Sequence, residues 1–221
     1  IRDSNTTNGF NLTYKINETN LKLKMKYNYS SSHTFDYGLE SKLYRINPGT
    51  IVPNGNNSTV TPVNIRQEKA LENALFVSDE ITFNSKFNVN LGLRFNQYLA
   101  LGPSTQRQYL ADNPKNETTL IGSEDYNNND VFKTYHNLSY RIASRYAFNN
   151  SLSLKASYNK AFQYVHRLNN NTTATPIDTW RLSDSNIVPQ ESSQFSLGIF
   201  KNIDEHDPVS YTHLTLPTIN W

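Results

Sequence analysis

The segment Leu21–Tyr29, with the sequence LKLKMKYNY, alternates strictly between two kinds of side chain. Every odd position is apolar or aromatic, and every even position is lysine or asparagine. Because successive side chains of a β-strand point to opposite faces, this strand would have one apolar face and one face carrying ammonium groups. The segment Phe87–Asn96 repeats the pattern, with Arg94 on its polar face. The alternation predicts strands that separate an apolar from a polar environment.

The same period of two recurs more loosely and predicts about seven strands in all. Asp79 interrupts one apolar face, which either a position at a membrane interface or a β-bulge would explain. The further predicted strands are Phe10–Ile16, Leu75–Phe83, Tyr140–Phe148, Leu152–Asn159 and Phe195–Ile199.

The connections between these strands alternate between short and long. The short ones are predicted at Asn17–Asn20, Asn84–Lys86 and Asn149–Asn150, and the long ones at Asp36–Ala70, Ala100–Tyr135 and Arg167–Pro189. Compact soluble domains rarely contain several such long structureless loops. Barrels of the bacterial outer-membrane type have short periplasmic turns and long extracellular loops.

The composition narrows the fold class further. The chain has 221 residues, with 14 Tyr, 11 Phe, no Cys and a net charge of +2. It contains no basic block that would indicate nucleic-acid binding, and without cysteine it has neither disulfides nor thiolate metal sites. No apolar run approaches the roughly 20 residues of a transmembrane helix, so a membrane-spanning chain would have to form a closed barrel. We therefore predict an all-β fold, a partial antiparallel transmembrane β-barrel with long extracellular loops.

A barrel in lipid requires apolar side chains outside and polar side chains inside. Aromatic residues at the short turns, Phe83 with Phe87 and Tyr146 with Phe148, are expected to form an interface girdle. The outward set is predicted to include Leu23, Met25, Val89, Leu91, Leu93, Leu152 and Leu154. The lumen is predicted to be lined by Lys22, Lys24, Lys26, Asn90, Arg94, Arg141, Arg145 and Lys155.

The residues predict no catalytic, metal or cofactor site, and we expect no enzyme. The five histidines have no metal-ligand spacing. Neighbouring Asp79 and Glu80 would face opposite sides of a strand, so we do not expect them to act as an acid/base pair. Candidate ligand contacts are three aromatic residues in the outer loops, Tyr109, Tyr126 and Trp180, because aromatic rings there could stack on a sugar or a chelate.

Several stretches together resemble the barrel half of TonB-dependent receptors of the Bacteroidetes type. The stretches are ENALFVSDEITF (Glu72–Phe83), VNLGLRF (Val89–Phe95), SLSLKASYNKAFQ (Ser151–Gln163), TPIDTW (Thr175–Trp180) and QFSLGI (Gln194–Ile199). The resemblance covers about residues 1–205 and implies a barrel of the 22-stranded plugged class, of which about seven strands would be an inactive fragment. It also implies location in the bacterial outer membrane and uptake of a large nutrient, such as a glycan or a siderophore. The implied partners are TonB, a plug domain in the same chain, outer-membrane lipid and a glycan-delivering surface lipoprotein.

A second hypothesis remains open at this stage, a soluble all-β surface adhesin or glycan-binding module. Its two sheets would bury their greasy faces against each other. The regular alternation of loop lengths favours the barrel over this sandwich.

The two ends of the sequence lead to separate expectations. The chain begins at Ile1 without a methionine or a signal peptide, so we expect a piece of a longer protein. Residues 1–206 are predicted to be the partial barrel and residues 207–221 a non-native tail. Pro208 and Pro217 fit a membrane strand poorly, and SYTHLTLPT resembles translated sequencing-adapter text. We therefore expect no regular strand pairing for the tail.

Overall fold

The structure, a computed structural model, describes residues 7–169, 178–202 and 210–220, with the backbone alone described for Asn169, Asp178 and Ser210–Asn220. None of the described residues forms a helix long and apolar enough to span a membrane. The strands are β1 (Phe10–Asn28), β2 (His33–Pro53), β3 (Val63–Asn64), β4 (Glu68–Asn84), β5 (Phe87–Leu101), β6 (Ser104–Tyr109), β7 (Leu120–Tyr126), β8 (Val131–Ala147), β9 (Leu152–Gln163), β10 (Val165–Asn169), β11 (Asp178–Leu182), β12 (Gln190–Lys201) and β13 (Ser210–Asn220).

Most of these strands form one antiparallel sheet in the order β1-β2-β4-β5-β8-β9-β12-β13, with β3 paired beside β2. The hairpins β6–β7 and β10–β11 pair separately, each within a long connection. The main sheet curls into a half-barrel. The predicted all-β fold, part of a larger antiparallel barrel, is therefore confirmed, with seven long strands up to residue 202.

Two of the predicted connections are wrong. The expected turn at Asn17–Asn20 lies inside β1, where these residues pair without interruption with Arg45 to Lys42 of β2. The expected long loop from Asp36 is occupied by β2 as far as Pro53. The turn prediction failed because polar residues on both faces look like a turn. Here they continue a strand beyond the apolar band, where both faces can be solvated. The false turn divided β1 into two predicted strands, and the false loop omitted β2, so the predicted number of strands is unchanged.

The alternation of short and long connections is confirmed. Residues 29–32, 85–86 and 148–151 make tight turns between neighbouring strands of the main sheet. Residues 54–67, 102–130 and 164–189 make the long connections at the opposite end. The sheet thus has a short-turn end and a long-loop end, as a membrane barrel requires.

One face of the sheet, the outer face, carries a continuous apolar band. Leu23, Leu39, Leu75, Phe95 and Leu138 are successive cross-strand neighbours on five strands, and each is 42–63% exposed. A soluble sandwich would bury such a row between two sheets. The exposure of this row indicates an apolar surrounding for the outer face.

The predicted outward residues all belong to this face by register. Leu91 pairs with Ile142, Leu93 with Val77, and Leu154 with Ile199. The strongly exposed members are Leu23, Met25, Leu91 and Leu93. The half-buried members are Val89, Leu152 and Leu154.

Aromatic rings line the short-turn end of the outer face. Phe83 lies 5.2 Å from Phe87 across the β4–β5 turn, measured between ring centroids. Phe87 lies 6.3 Å from Tyr146, which in turn lies 5.1 Å from Phe148. Tyr29 and Phe35 continue the series at the β1–β2 turn. This belt has the position that the girdle prediction requires.

Asp79 stays on the outer face, because its register with Phe35 and Leu91 is regular. The proposed bulge at this residue is therefore wrong, and the nearest irregularity lies between Thr82 and Asn84. The Asp79 carboxylate is 2.8 Å from Nδ1 of His33. His33 is the first residue of β2 and lies beside the short turn. A polar partner at the turn end thus accommodates the charge.

The buried core lies on the opposite face, called here the inner face, at the long-loop end. Its members are aromatic or apolar residues of the even-numbered register on β2, β4 and β5, together with two residues from the connection 164–189. They are Tyr44, Ile46, Ala70, Tyr98, Ala100, Tyr164 and Leu182. The described parts of this connection therefore fold inward over the long-loop end of the inner face.

The tail behaves differently from the expectation. Ser210–Asn220 pairs with β12 in a regular antiparallel register, so the prediction of no strand pairing is wrong for these residues. The unpaired N–H and C=O groups at a sheet edge can pair with any extended segment, which gives a physical reason for the pairing. The non-native origin of residues 207–221 stays a prediction, which sequencing of the locus would test.

Candidate functional site

An ion-pair network crosses the inner face in the middle of the sheet. Arg94 of β5 places Nη1 2.8 Å from Glu40 of β2 and Nη2 3.4 Å from Glu72 of β4. The two glutamate side chains are only 8% and 9% exposed. The Tyr44 hydroxyl donates to Glu72 at 2.9 Å, and Asn20 Nδ2 donates to Glu40 at 2.9 Å. Both buried carboxylates are thereby compensated, as buried charges must be.

The predicted lumen residues lie on this inner face, and most of them have a polar or aromatic partner there. The acidic partners Asp36 and Glu40 were not predicted, because the strand β2 was assigned to a loop. Lys22 contacts Glu40 (3.9 Å), Lys24 contacts Asp36 (3.2 Å), Lys26 lies opposite Asp36, Arg141 donates to Asn90 (2.9 Å), Lys155 lies over the Phe200 ring (4.2 Å), and Arg145 lines the same recess as Lys155.

The described parts of this connection, residues 164–169 and 178–187, are held to the inner face by hydrogen bonds to the backbone of residues 182–184. The Tyr98 hydroxyl donates to the Ser183 carbonyl at 2.9 Å, and the Tyr135 hydroxyl donates to the Asp184 carbonyl at 2.7 Å. The Leu182 amide donates to Glu68 Oε2 at 2.7 Å. We call these two described stretches the flap. Its docking depends on side chains from three strands of the wall, so its position is fixed by the barrel.

Aromatic stacking and a buried histidine complete the docking of the flap. The Tyr164 ring stacks on Tyr98 with centroids 4.5 Å apart and planes 7° from parallel. His166 Nε2 is 2.8 Å from Ser183 Oγ. Burial lowers the pKa of His166 below its ordinary value, although the nearby Asp184 carboxylate acts in the opposite direction. The flap therefore favours the neutral imidazole.

The three predicted ligand-contact residues do not form one site. Tyr109 ends β6 near the tip of the β6–β7 hairpin, whereas Tyr126 lies at its base and pairs with Ser104. The Tyr126 ring lies 5.4 Å from Phe132. Trp180 lies on the flap, packs against the buried core and lines an open pocket on the inner face. All three residues lie at the long-loop end of the sheet, but their side chains do not share one pocket.

Sequence reasoning missed the acidic partners and the tyrosines that dock the flap. A signal for Glu40 was present, because Tyr37, Leu39 and Leu43 alternate with polar residues from Gly38 to Lys42. No local signal identifies Tyr98 or Ser183, because their contact joins residues 85 positions apart. In the part of the chain that the structure describes, no group of three or more His, Asp or Glu side chains could hold a metal ion.

Comparison with known proteins agrees with this architecture. The family model "TonB dependent receptor-like, beta-barrel" matches residues 1–202. Among solved structures, the copper transporter OprC is similar in fold, with a TM-score of 0.56 and 11% sequence identity. The alignment covers 92% of this chain but only 30% of the OprC chain. No curated protein sequence matches the chain. With its exposed apolar band, its charged inner face and its long loops at one end, the chain belongs to the family of TonB-dependent receptor-like β-barrels.

Proposed function

We propose that this chain forms part of the wall and mouth of a receptor in the bacterial outer membrane that imports a large nutrient with energy delivered through TonB. The single observation that carries the proposal is the division of one sheet into an exposed apolar outer face and an ion-paired inner face. A protein with this division can have lipid on one side and a polar lumen on the other. The proposal that transport depends on TonB is supported by membership of the family.

The inner face offers a surface for a plug domain or for a passing ligand. Its charges are of both signs, and many are already paired, as in the network of Arg94 with Glu40 and Glu72. Such a wall favours polar, reversible contacts over a permanent apolar interface. A plug domain in the same longer chain, a surface lipoprotein and TonB are the partners that we propose, by analogy with the family.

The sandwich alternative has less support. It requires Leu23, Leu75 and Leu93 to lie in a closed core, whereas each is at least half exposed. A glycan-binding role for the long-loop end is compatible with transport and does not need a separate fold.

The test uses the full-length protein that contains this segment, expressed in cells with and without TonB. We expect uptake of a bulky labelled ligand to stop in the TonB deletion, while binding of the ligand to the cell surface continues. Unchanged uptake without TonB would contradict the proposal. Immunoblotting of outer-membrane fractions from both strains controls for receptor abundance.

A further inference from the structure

The outer face carries a group of cationic residues at its long-loop end. Arg45 of β2 and Lys69 of β4 are directly opposite each other in the register. Both belong to the outer face, because their positions continue the alternation of Leu39 on β2 and Leu75 on β4. Lys15 of β1 lies on the same face, two residues beyond the partner of Arg45 on that strand. We call Arg45, Lys69 and Lys15 the cationic rim.

The acidic residues in the same part of these three strands lie on the opposite face. Glu18 of β1 is directly opposite Tyr44, and Glu68 of β4 is directly opposite Ile46. Glu72 of β4 accepts a hydrogen bond from the Tyr44 hydroxyl. Tyr44 and Ile46 belong to the buried core of the inner face. The strands thus place carboxylates inward and the cationic rim outward, so the charges are separated by the sheet.

The cationic rim has spare capacity to bind an anion. In the part of the chain that the structure describes, none of its three members makes an ion pair. Lys69 Nζ donates to one neutral acceptor, Asn128 Oδ1, at 2.5 Å, and an ammonium group has three donors. Directly opposed side chains have Cβ atoms about 4.5–5.5 Å apart, and like charges at this separation destabilise a sheet. An anion held between Arg45 and Lys69 would offset this repulsion.

The position of the rim indicates which kind of anion it meets. Arg45 lies six residues beyond Leu39 on β2, or about 15 Å along the barrel axis at about 3.3 Å per residue and a tilt of about 40°. Leu39 belongs to the apolar band, which is about 25 Å tall, so the rim lies at the long-loop edge of the band. Leu43 and Leu71, opposite each other, form a half-buried apolar step just inside that edge. A lipid has the same order of groups, with acyl chains followed by a charged headgroup.

From this arrangement we infer that the cationic rim binds the phosphate groups of a lipid headgroup, in the leaflet nearest the long loops. The acyl chains pack on the apolar outer face, and the phosphate oxygens accept hydrogen bonds from Arg45 and Lys69. A guanidinium can bind phosphate through two parallel hydrogen bonds, and an ammonium adds a point charge. The inference rests on the proposed location of this wall in a bacterial outer membrane, and it adds a specific lipid site to that wall.

The experiment measures the affinity of the purified full-length receptor, in an uncharged detergent, for lipid A labelled on an acyl chain. Lipid A is a bacterial glycolipid that carries phosphate groups, and the comparison probe is the same lipid after enzymatic removal of those phosphates. We expect the phosphorylated lipid to bind about tenfold or more tightly, because only its phosphates contact the cations. Equal affinities for the two lipids overturn the inference. Displacement of the lipid by an equal concentration of inorganic phosphate would indicate a site for the free ion and would also overturn it.

A matched pair of double variants locates the site. Arg45→Gln/Lys69→Gln should weaken binding of the phosphorylated lipid by about tenfold or more, and it should leave binding of the dephosphorylated lipid unchanged. Arg145 and Lys155 form a second directly opposed pair of cations, but on the inner face near the short turns. Arg145→Gln/Lys155→Gln removes the same charges and should leave lipid binding unchanged. Equal losses in the two double variants would mean unspecific attraction by charge and would overturn the inference.

Single variants keep the test decisive if the double variant folds poorly. Arg45 is exposed and has no ion-pair partner in the described part of the chain, so Arg45→Gln should fold normally and still weaken binding of the phosphorylated lipid. Arg45→Lys keeps the charge and should retain more of the affinity than Arg45→Gln. Unchanged binding by Arg45→Gln together with unchanged binding by Lys69→Gln overturns the inference.

Failure of this inference and failure of the proposed function are distinguishable. If the receptor takes up its ligand in a TonB-dependent way but binds both lipids equally, only the lipid site is wrong. If the phosphorylated lipid binds through the cationic rim while uptake continues without TonB, the lipid site stands and the transport proposal fails.

Discussion

Leu93→Arg should prevent proper insertion of the full-length barrel, whereas Asn90→Arg should not. The two residues lie on opposite faces of β5: Leu93 is 53% exposed on the outer face, and Asn90 accepts a hydrogen bond from Arg141 on the inner face. An arginine at position 93 would face lipid, and one at position 90 would lie in the polar interior directly opposite Glu80.

The expected magnitude follows from the position of Leu93 in the sheet. It lies about 20 Å along β5 from Phe87 in the aromatic belt, at about 3.3 Å per residue. With strands tilted by about 40°, this places it about 15 Å above the belt, near the middle of an apolar band about 25 Å tall. A lipid-facing arginine near the midplane costs about 2–4 kcal/mol, which lowers the folding equilibrium constant roughly 30- to 700-fold.

The assay is refolding of urea-denatured full-length receptor into lipid vesicles, scored by the heat-modifiable band shift and by urea titration. Asn90→Arg removes one hydrogen bond from Arg141 but places the new guanidinium beside the Glu80 carboxylate. The loss in folding free energy should therefore stay below about 1 kcal/mol. Leu91→Arg should be milder than Leu93→Arg, because its cross-strand neighbour Asp79 offers a carboxylate. Equal folding of Leu93→Arg and Asn90→Arg would refute the assignment of the faces.

Three further predictions concern the inner face and the flap. Arg94→Leu leaves the buried Glu72 carboxylate without its cation and Glu40 with the more distant Lys22 alone, and it should destabilise the barrel by about 3–5 kcal/mol in urea titration. Unchanged stability would mean that the network is not compensating buried charge. Tyr98→Phe leaves the buried Ser183 carbonyl without this donor and should favour local opening by about 1–3 kcal/mol, seen as faster hydrogen exchange of the Ser183 amide. Because burial lowers the pKa of His166, docking of the flap should be strongest above the ordinary histidine pKa of about 6.5 and should weaken as the pH falls below it. Hydrogen exchange of the flap amides, compared at pH 5 and pH 7.5, should show weaker protection at pH 5, and His166→Gln should remove this pH dependence.

The faces of the strands were predictable because alternation is a local property. In Leu21–Tyr29 and Phe87–Asn96 each residue type follows from whether its side chain lies on the outer or the inner face of the sheet, and this appears in the sequence as a period of two. The register then aligns Leu23 with Leu39 and Leu75 across neighbouring strands. The fold class was therefore accessible without any knowledge of distant contacts.

The extent of the strands and the docking of the flap were harder to predict from the sequence. Beyond the apolar band both faces of a strand can be polar, so the alternation disappears. Asn17–Asn20 therefore looks like a turn although its backbone pairs with β2. The contact of Tyr98 with Ser183 depends on where a long connection folds back, and no periodicity encodes that. Such contacts follow from three-dimensional packing of residues distant in sequence.

The length of the strands also places the flap relative to the apolar band. A membrane strand needs about 9–11 residues, whereas β1 has 19 and β2 has 21. At a tilt of about 40°, a strand as long as β2 rises about 50 Å, roughly twice the height of the apolar band. The long-loop half of the sheet, with the flap, therefore extends beyond the height of the apolar band. Substitutions that act on the flap, such as Tyr98→Phe and His166→Gln, then leave the apolar outer face unaltered, so a change in hydrogen exchange in these variants reports on the docking of the flap rather than on barrel assembly.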